Sequence, residues 1–150
     1  MMFKTHLALG ILAGVLAIKY LQPESSLLFG ITVSLASVIP DIDISKSTVG
    51  KSFWPVSSLV GFFFGHRGFV HTVFPPIMVM MTAFALGYSQ FGEAFIIGWL
   101  VHLTADMATV QGIAPFFPIT KARTRGFIRT GGLIEHIVLF TAIIAILMVF

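Results

Sequence analysis

The residues able to do chemistry in this chain are histidines and carboxylates at short spacings. His102 and Asp106 are four apart. On a helix that places them about 40° apart around the axis, so both can face one ion. His66 and His71 are five apart, about 140° around an unbroken helix. They can share a site only if Gly65 or Gly68 interrupts the backbone between them. That reading puts His66 in a turn and His71 on the first turn of a helix. Asp41 and Asp43 flank Ile42 directly after Pro40, and a turn there would let both carboxylates reach a cation. His6 opens the first apolar stretch. Imidazole and carboxylate without sulfur suit Zn, with Mn, Fe or Co as other fits. His6, Asp41, Asp43, His66, His71, His102 and Asp106 together exceed the four ligands of one tetrahedral ion. They suit two divalent transition-metal ions clamping the attacking and leaving oxygens of a phosphoryl transfer, or one ion with outer carboxylates orienting its histidines.

The elements that must carry these residues are apolar. Of 150 residues, 57% are hydrophobic and 10% charged, with a mean hydropathy of +0.98. A soluble domain is about a quarter charged. This balance excludes disorder, a solvent-covered enzyme of the usual type and a nucleic-acid-binding module. There is no cysteine, so thiolate metal sites and disulfides are excluded. The apolar residues form blocks of about 17 to 20, the length that crosses a bilayer core of about 30 Å. The expected architecture is an all-α integral membrane protein forming one domain over residues 1–150. It is a compact bundle of about five transmembrane helices with one interfacial or re-entrant segment. The spans run near Thr5–Leu21, Ser26–Ile39, Val70–Tyr88 (kinked by Pro75-Pro76), Phe91–Val110 and Gly131–Phe150, with the short segment between Lys46 and Gly65.

With the N-terminus in the cytoplasm and the C-terminus outside, eight of the nine basic residues lie on the inner side, and only Lys19 lies opposite. That is the positive-inside pattern. The same orientation brings every His and Asp into or near the inner leaflet, a result not built into it. Ionisable groups buried among apolar helices cost several kcal/mol unless paired or bound to metal. Their convergence points to one site. Simpler roles compete for some of them: His6 as an interfacial anchor or cap, Asp43 as a solvated loop carboxylate, and Glu135 with His136 as interfacial residues beside Gly131-Gly132.

Three stretches resemble the YdjM family, described as LexA-regulated inner-membrane proteins of the metal-dependent hydrolase type. They are Pro40-Asp41-Ile42-Asp43 with Lys46-Ser47 and Gly50, Phe64-Gly65-His66-Arg67-Gly68-Phe69-Val70-His71-Thr72, and Gly98 to Met107. Thr5-His6-Leu7 matches the family's usual N-terminal histidine. Where the family tends to read Thr-Pro-x-Gly after its third motif, this chain has Thr109-Val110-Gln111-Gly112. The resemblance implies His and Asp ligands for divalent metal and a phosphoester substrate. The expected activity is hydrolysis of a phospholipid or other membrane-borne phosphoester at the cytoplasmic face, the substrate arriving sideways from the inner leaflet. Arg67 would clamp the phosphate, Arg123 and Arg125 would assist with a headgroup, and Asp43 would act as general base. Two other classes compete: a divalent-cation or proton transporter, and a metal-stabilised membrane protein without turnover. A conduit needs polar groups at both ends, and the outer half offers only hydroxyls beyond Lys19, Glu24 and Glu93.

Overall fold

The computed structural model describes residues 1–43 and 68–149, with backbone alone at 42 and 43. Numbered over those residues, five α-helices follow one another: α1 Phe3–Leu21, α2 Ser26–Ala36, α3 Phe74–Ala85, α4 Ser89–Met107 and α5 Leu133–Val149. Two 3₁₀ turns, Ile39–Asp43 and Phe69–His71, follow α2 and precede α3. The described residues hold isolated backbone bridges but no strand. The expected interfacial segment between Lys46 and Gly65 lies outside the described residues. Among those described, α1 alone is long and apolar enough to cross a bilayer unaided; α2, α3 and α5 are apolar but shorter. The all-helical class therefore holds, while five full spans do not follow from these lengths.

Two helices differ from the sequence reading for a local reason. Pro75 and Pro76 do not kink a longer helix but stand in the first turn of α3. Proline lacks an N–H, and the first turn is where that donor has no intrahelical use. His71 accordingly sits in the 3₁₀ turn ahead of α3 rather than on its first turn. Helix α2 stops at Ala36 rather than Ile39, because Pro40 disfavours helix before it and the chain tightens into 3₁₀ geometry.

Helix α4 is central. It packs against α1, α2 and α3, while α1 also packs on α2 and α5. Small residues permit the closest crossings. A Cβ on Gly98 of α4 would collide with the Val33 carbonyl and Ala36 of α2, and one on Gly10 of α1 with the Ser37 side chain. These approaches bring the N-terminal end of α1 and the C-terminal ends of α2 and α4 together. Phe29, Val33 and Ala94 form one core cluster, and Trp99, Leu103 and Ile113 form another nearer that end of the bundle.

The connection from α4 to α5 packs against that same end. Ile113 and Thr124 exchange backbone hydrogen bonds of 3.1 and 2.9 Å, and Ile128 donates to Ala108 at 3.0 Å. Val73 donates to Pro115 at 3.0 Å, tying this connection to the start of α3. Ile113 and Ile128 are buried beneath the bundle, Ile128 against Met1 and Ala105.

Candidate metal centre

The five site residues come from four elements. His6 is in the first turns of α1, Asp41 in the 3₁₀ turn after α2, and His71 in the 3₁₀ turn before α3. His102 and Asp106 are on the last turns of α4. The 3.6-residue period stacks the last two on one face, with His102 Nε2 at 3.9 Å from Asp106 Oδ2. His6, His71, His102 and Asp106 are fully buried and Asp41 nearly so.

The rings converge closely. His6 stacks on His102 with centroids 3.9 Å apart, and His71 meets His102 edge-on at 5.1 Å. His6 Nε2 lies 3.3 Å from Asp106 Oδ1, and His71 Nε2 lies 3.7 Å from Oδ2. The α-amino nitrogen of Met1 also contacts Asp106 Oδ1.

Two ligand triads result, His6–Asp41–His102 and His71–His102–Asp106, each offering one atom per residue within 4.8 Å of the others. Two donors on one ion bound at about 2.0–2.2 Å are separated by at most about 4.4 Å. Small side-chain adjustments therefore suffice. His102 is common to both triads.

The donor chemistry fits a cation. His102 Nδ1 is 2.9 Å from the Ser37 carbonyl and donates its hydrogen there, which leaves the lone pair on Nε2. That nitrogen lies 3.3 Å from His71 Nε2, and two imidazole nitrogens so close need a proton or a cation between them. His6 Nδ1, wholly buried, has no hydrogen-bond partner among the described residues. The Asp41 carboxyl is almost wholly buried, so a cation nearby would relieve the cost of its charge.

Of the expected ligands, His6, Asp41, His71, His102 and Asp106 come together. His66 and Arg67 lie outside the described residues, as does the Asp43 side chain. Arg123 and Arg125 are exposed on the connection from α4 to α5. His136 is exposed, as an interfacial residue would be, its ring donating from Nδ1 to the Gly132 carbonyl at 2.9 Å. Glu135 is not interfacial: it is fully buried.

Sequence reasoning missed two supporting residues. Ser37 presents its carbonyl to His102, and its hydroxyl lies 3.1 Å from the His6 carbonyl and 2.7 Å from that of Ser34. Trp99, buried one turn before His102, donates from Nε1 to the Thr72 carbonyl at 3.2 Å. It thereby holds the residue next to His71. A tryptophan inside a motif with its N–H needing a partner was the available signal for the second. Nothing in local spacing marked the first.

Comparisons with known proteins agree on one family. The family model described as YdjM inner membrane protein matches residues 1–150. The uncharacterized protein YvsG of Bacillus subtilis (strain 168) is 33% identical over 138 residues, covering 91% of this chain and 86% of that one. The inner membrane protein YdjM of Escherichia coli (strain K12) is 30% identical over 91 residues, 56% of this chain and 46% of its own length. The Shigella flexneri protein of the same name matches to the same extent. No solved structure matches the chain.

Proposed function

Because the chain belongs to the YdjM family of inner membrane proteins, we propose that its buried cluster is the centre of a membrane-embedded, metal-dependent hydrolase. Its substrate is a phospholipid or another membrane-borne phosphoester, met at the cytoplasmic face. The observation that carries this reading is the pair of triads sharing His102, assembled from four separate elements in a fully buried setting.

The cluster suits a divalent ion, with Zn preferred for three imidazoles and two carboxylates and no sulfur. His102 Nε2 carries one lone pair and so ligates one ion, and a second ion would draw its remaining ligands from Asp43 or His66. A divalent ion held there supplies Lewis acidity and brings the pKa of a water toward neutrality. The protein's own groups do the rest. Ser37 keeps the His102 ring in one tautomer with Nε2 turned inward. The 3₁₀ turns supply Asp41 and His71 to the residues of α4. Exclusion of bulk water strengthens every charge interaction inside the cluster.

Arg67 is the proposed phosphate clamp, being one residue from His66 in sequence, and Asp43 is the proposed general base. The exposed Arg123 and Arg125 would bind an anionic headgroup at the membrane surface. In this reading the N-terminus is cytoplasmic and the C-terminus outside. The site and most of the basic residues then lie toward the cytoplasmic side. The exposed Lys19, Glu24 and Glu93 mark the other face.

The test uses detergent-purified protein loaded with Zn or Mn and mixed micelles of phosphatidic acid. Phosphate release and bound metal are measured together, with His102→Ala as the background. Metal uptake with release above that background is the expected result. Metal uptake without hydrolysis of phosphate or acyl esters would replace the enzyme by a metal-stabilised protein. Failure to take up any metal would sink the shared-site reading.

A further inference from the structure

Glu135 has no part in the proposed chemistry, yet it is a fully buried carboxylate with both oxygens engaged. It lies in the first turn of α5. Its Oε2 accepts the Gly131 N–H at 2.5 Å, four residues back, where the backbone turns through a positive φ of 74°. That is a local capping role, in which a carboxylate early in a helix reaches back to a free donor ahead of it. Capping α5 accounts for one oxygen only.

The other oxygen crosses to a different helix. Oε1 accepts the Met2 N–H at 2.6 Å, a contact spanning 133 residues of sequence. Met2 caps α1, whose first amides have no intrahelical partner and carry the positive end of the helix dipole. No side chain of α1 itself serves as that cap. The Met2 carbonyl in turn accepts the amide N–H of Thr5 at 3.0 Å and of His6 at 3.2 Å. Two hydrogen bonds therefore join the Glu135 carboxylate to the backbone of a proposed metal ligand. On its far side the His6 carbonyl lies 3.1 Å from the Ser37 hydroxyl.

We infer that Glu135 is a positioning residue for the metal centre: it fixes the start of α1 so that the His6 ring stands over His102 and beside Asp106. The inference rests on the metal-centre reading above. It assigns α5, which contributes no ligand among the described residues, a share in setting the geometry of the site. Glu135→Ala removes the carboxylate anchor on Met2 and loosens the placement of His6, which the Ser37 hydroxyl and the Met1–Asp106 contact still restrain. Glu135→Gln keeps one carbonyl acceptor and meets the second N–H with an NH₂ group, so it retains half of the clamp.

The experiment is Co²⁺ titration of the detergent-purified full chain, following visible absorption as a report on the number and kind of ligands. Wild type is compared with His6→Ala, Glu135→Ala, Glu135→Gln and the His6→Ala/Glu135→Ala pair. Glu135→Ala is expected to weaken Co²⁺ binding about 10–100-fold, the usual cost of losing an orienting partner. Its spectrum should shift toward that of His6→Ala, and the double variant should bind no more weakly than His6→Ala alone. Should Glu135→Ala fail to fold, Glu135→Gln decides the matter by a smaller loss and a partial shift in the same direction. Wild-type affinity and spectrum in a folded Glu135 variant, or losses that multiply in the double variant, would overturn the inference while leaving the metal centre intact. A wild type that takes up neither Co²⁺ nor Zn²⁺ would overturn the metal reading, and this inference with it.

Discussion

His102 Nε2 is common to both triads and carries one lone pair, so it ligates one ion, and its removal should abolish the binding of that ion. An ion that binds the folded state alone stabilises it by about 2.7 kcal/mol when present at about 100 times its Kd. The metal-loaded wild type should exceed the chelated protein by that amount for the ion on His102. In a chain of this length about 1 kcal/mol moves Tm by about 2–4 °C, so the chelator shift should be about 5–11 °C. His71→Ala removes a ligand from one triad and Asp41→Ala from the other, so the variant that loses the shift identifies the triad that holds the ion. His102→Ala should retain almost none. The assay is thermal unfolding of detergent-purified protein, with and without a strong chelator, followed by tryptophan fluorescence. Bound metal is counted on the same samples. An undiminished chelator shift in His102→Ala would refute the shared-ligand argument. Loss of the shift in His102→Ala with full retention in both His71→Ala and Asp41→Ala would refute both triads.

Other expectations follow from the packing around the site. Trp99→Phe removes the donor to the Thr72 carbonyl; it should cost about 1 kcal/mol in unfolding free energy and weaken metal binding measured by titration. Gly98→Ala should destabilise by about 1–3 kcal/mol through overpacking against Val33 and Ala36. Gly14→Ala, whose Cβ would meet Gly30 and Val33 at an ordinary 3.4–3.5 Å, should change Tm little in the same scan. Arg123→Ala combined with Arg125→Ala should raise KM for an anionic phospholipid while leaving kcat and metal content unchanged; a fall in kcat alone would contradict headgroup binding.

The parts of this site legible in sequence are those governed by local geometry. His102 and Asp106 could be paired because helical spacing alone puts them on one face. Asp41 could be placed in a turn because Pro40 precedes it. The convergence of His6 and His71 on that pair followed from the alternation of helices, since each lies at the inner end of its element. What was illegible depends on contacts between distant segments. Glu135 looks interfacial beside two glycines, and only the approach of α1 to α5 buries it against Met2. Ser37 acts through its carbonyl, a group every residue carries, so its type gave no signal. The extent of the helices was misjudged where prolines set a boundary. Pro75 and Pro76 begin α3 rather than bend it, shortening that helix to 12 residues.

The packing of the α4–α5 connection against the end of the bundle bears on time as well as place. His6, His71, His102 and Asp106 have no exposed surface, and Ile113 and Ile128 lie buried beneath the bundle. Anything held among those side chains leaves only when the walls part. The connection is itself fastened by paired backbone hydrogen bonds to the end of α4 and to Val73. Release of an ion from among those side chains therefore needs local opening as well as the breaking of its bonds to imidazole. Exchange of a labelled ion should then share the temperature dependence of amide hydrogen exchange in residues 108–128, with the two processes slowed or hastened by the same substitutions.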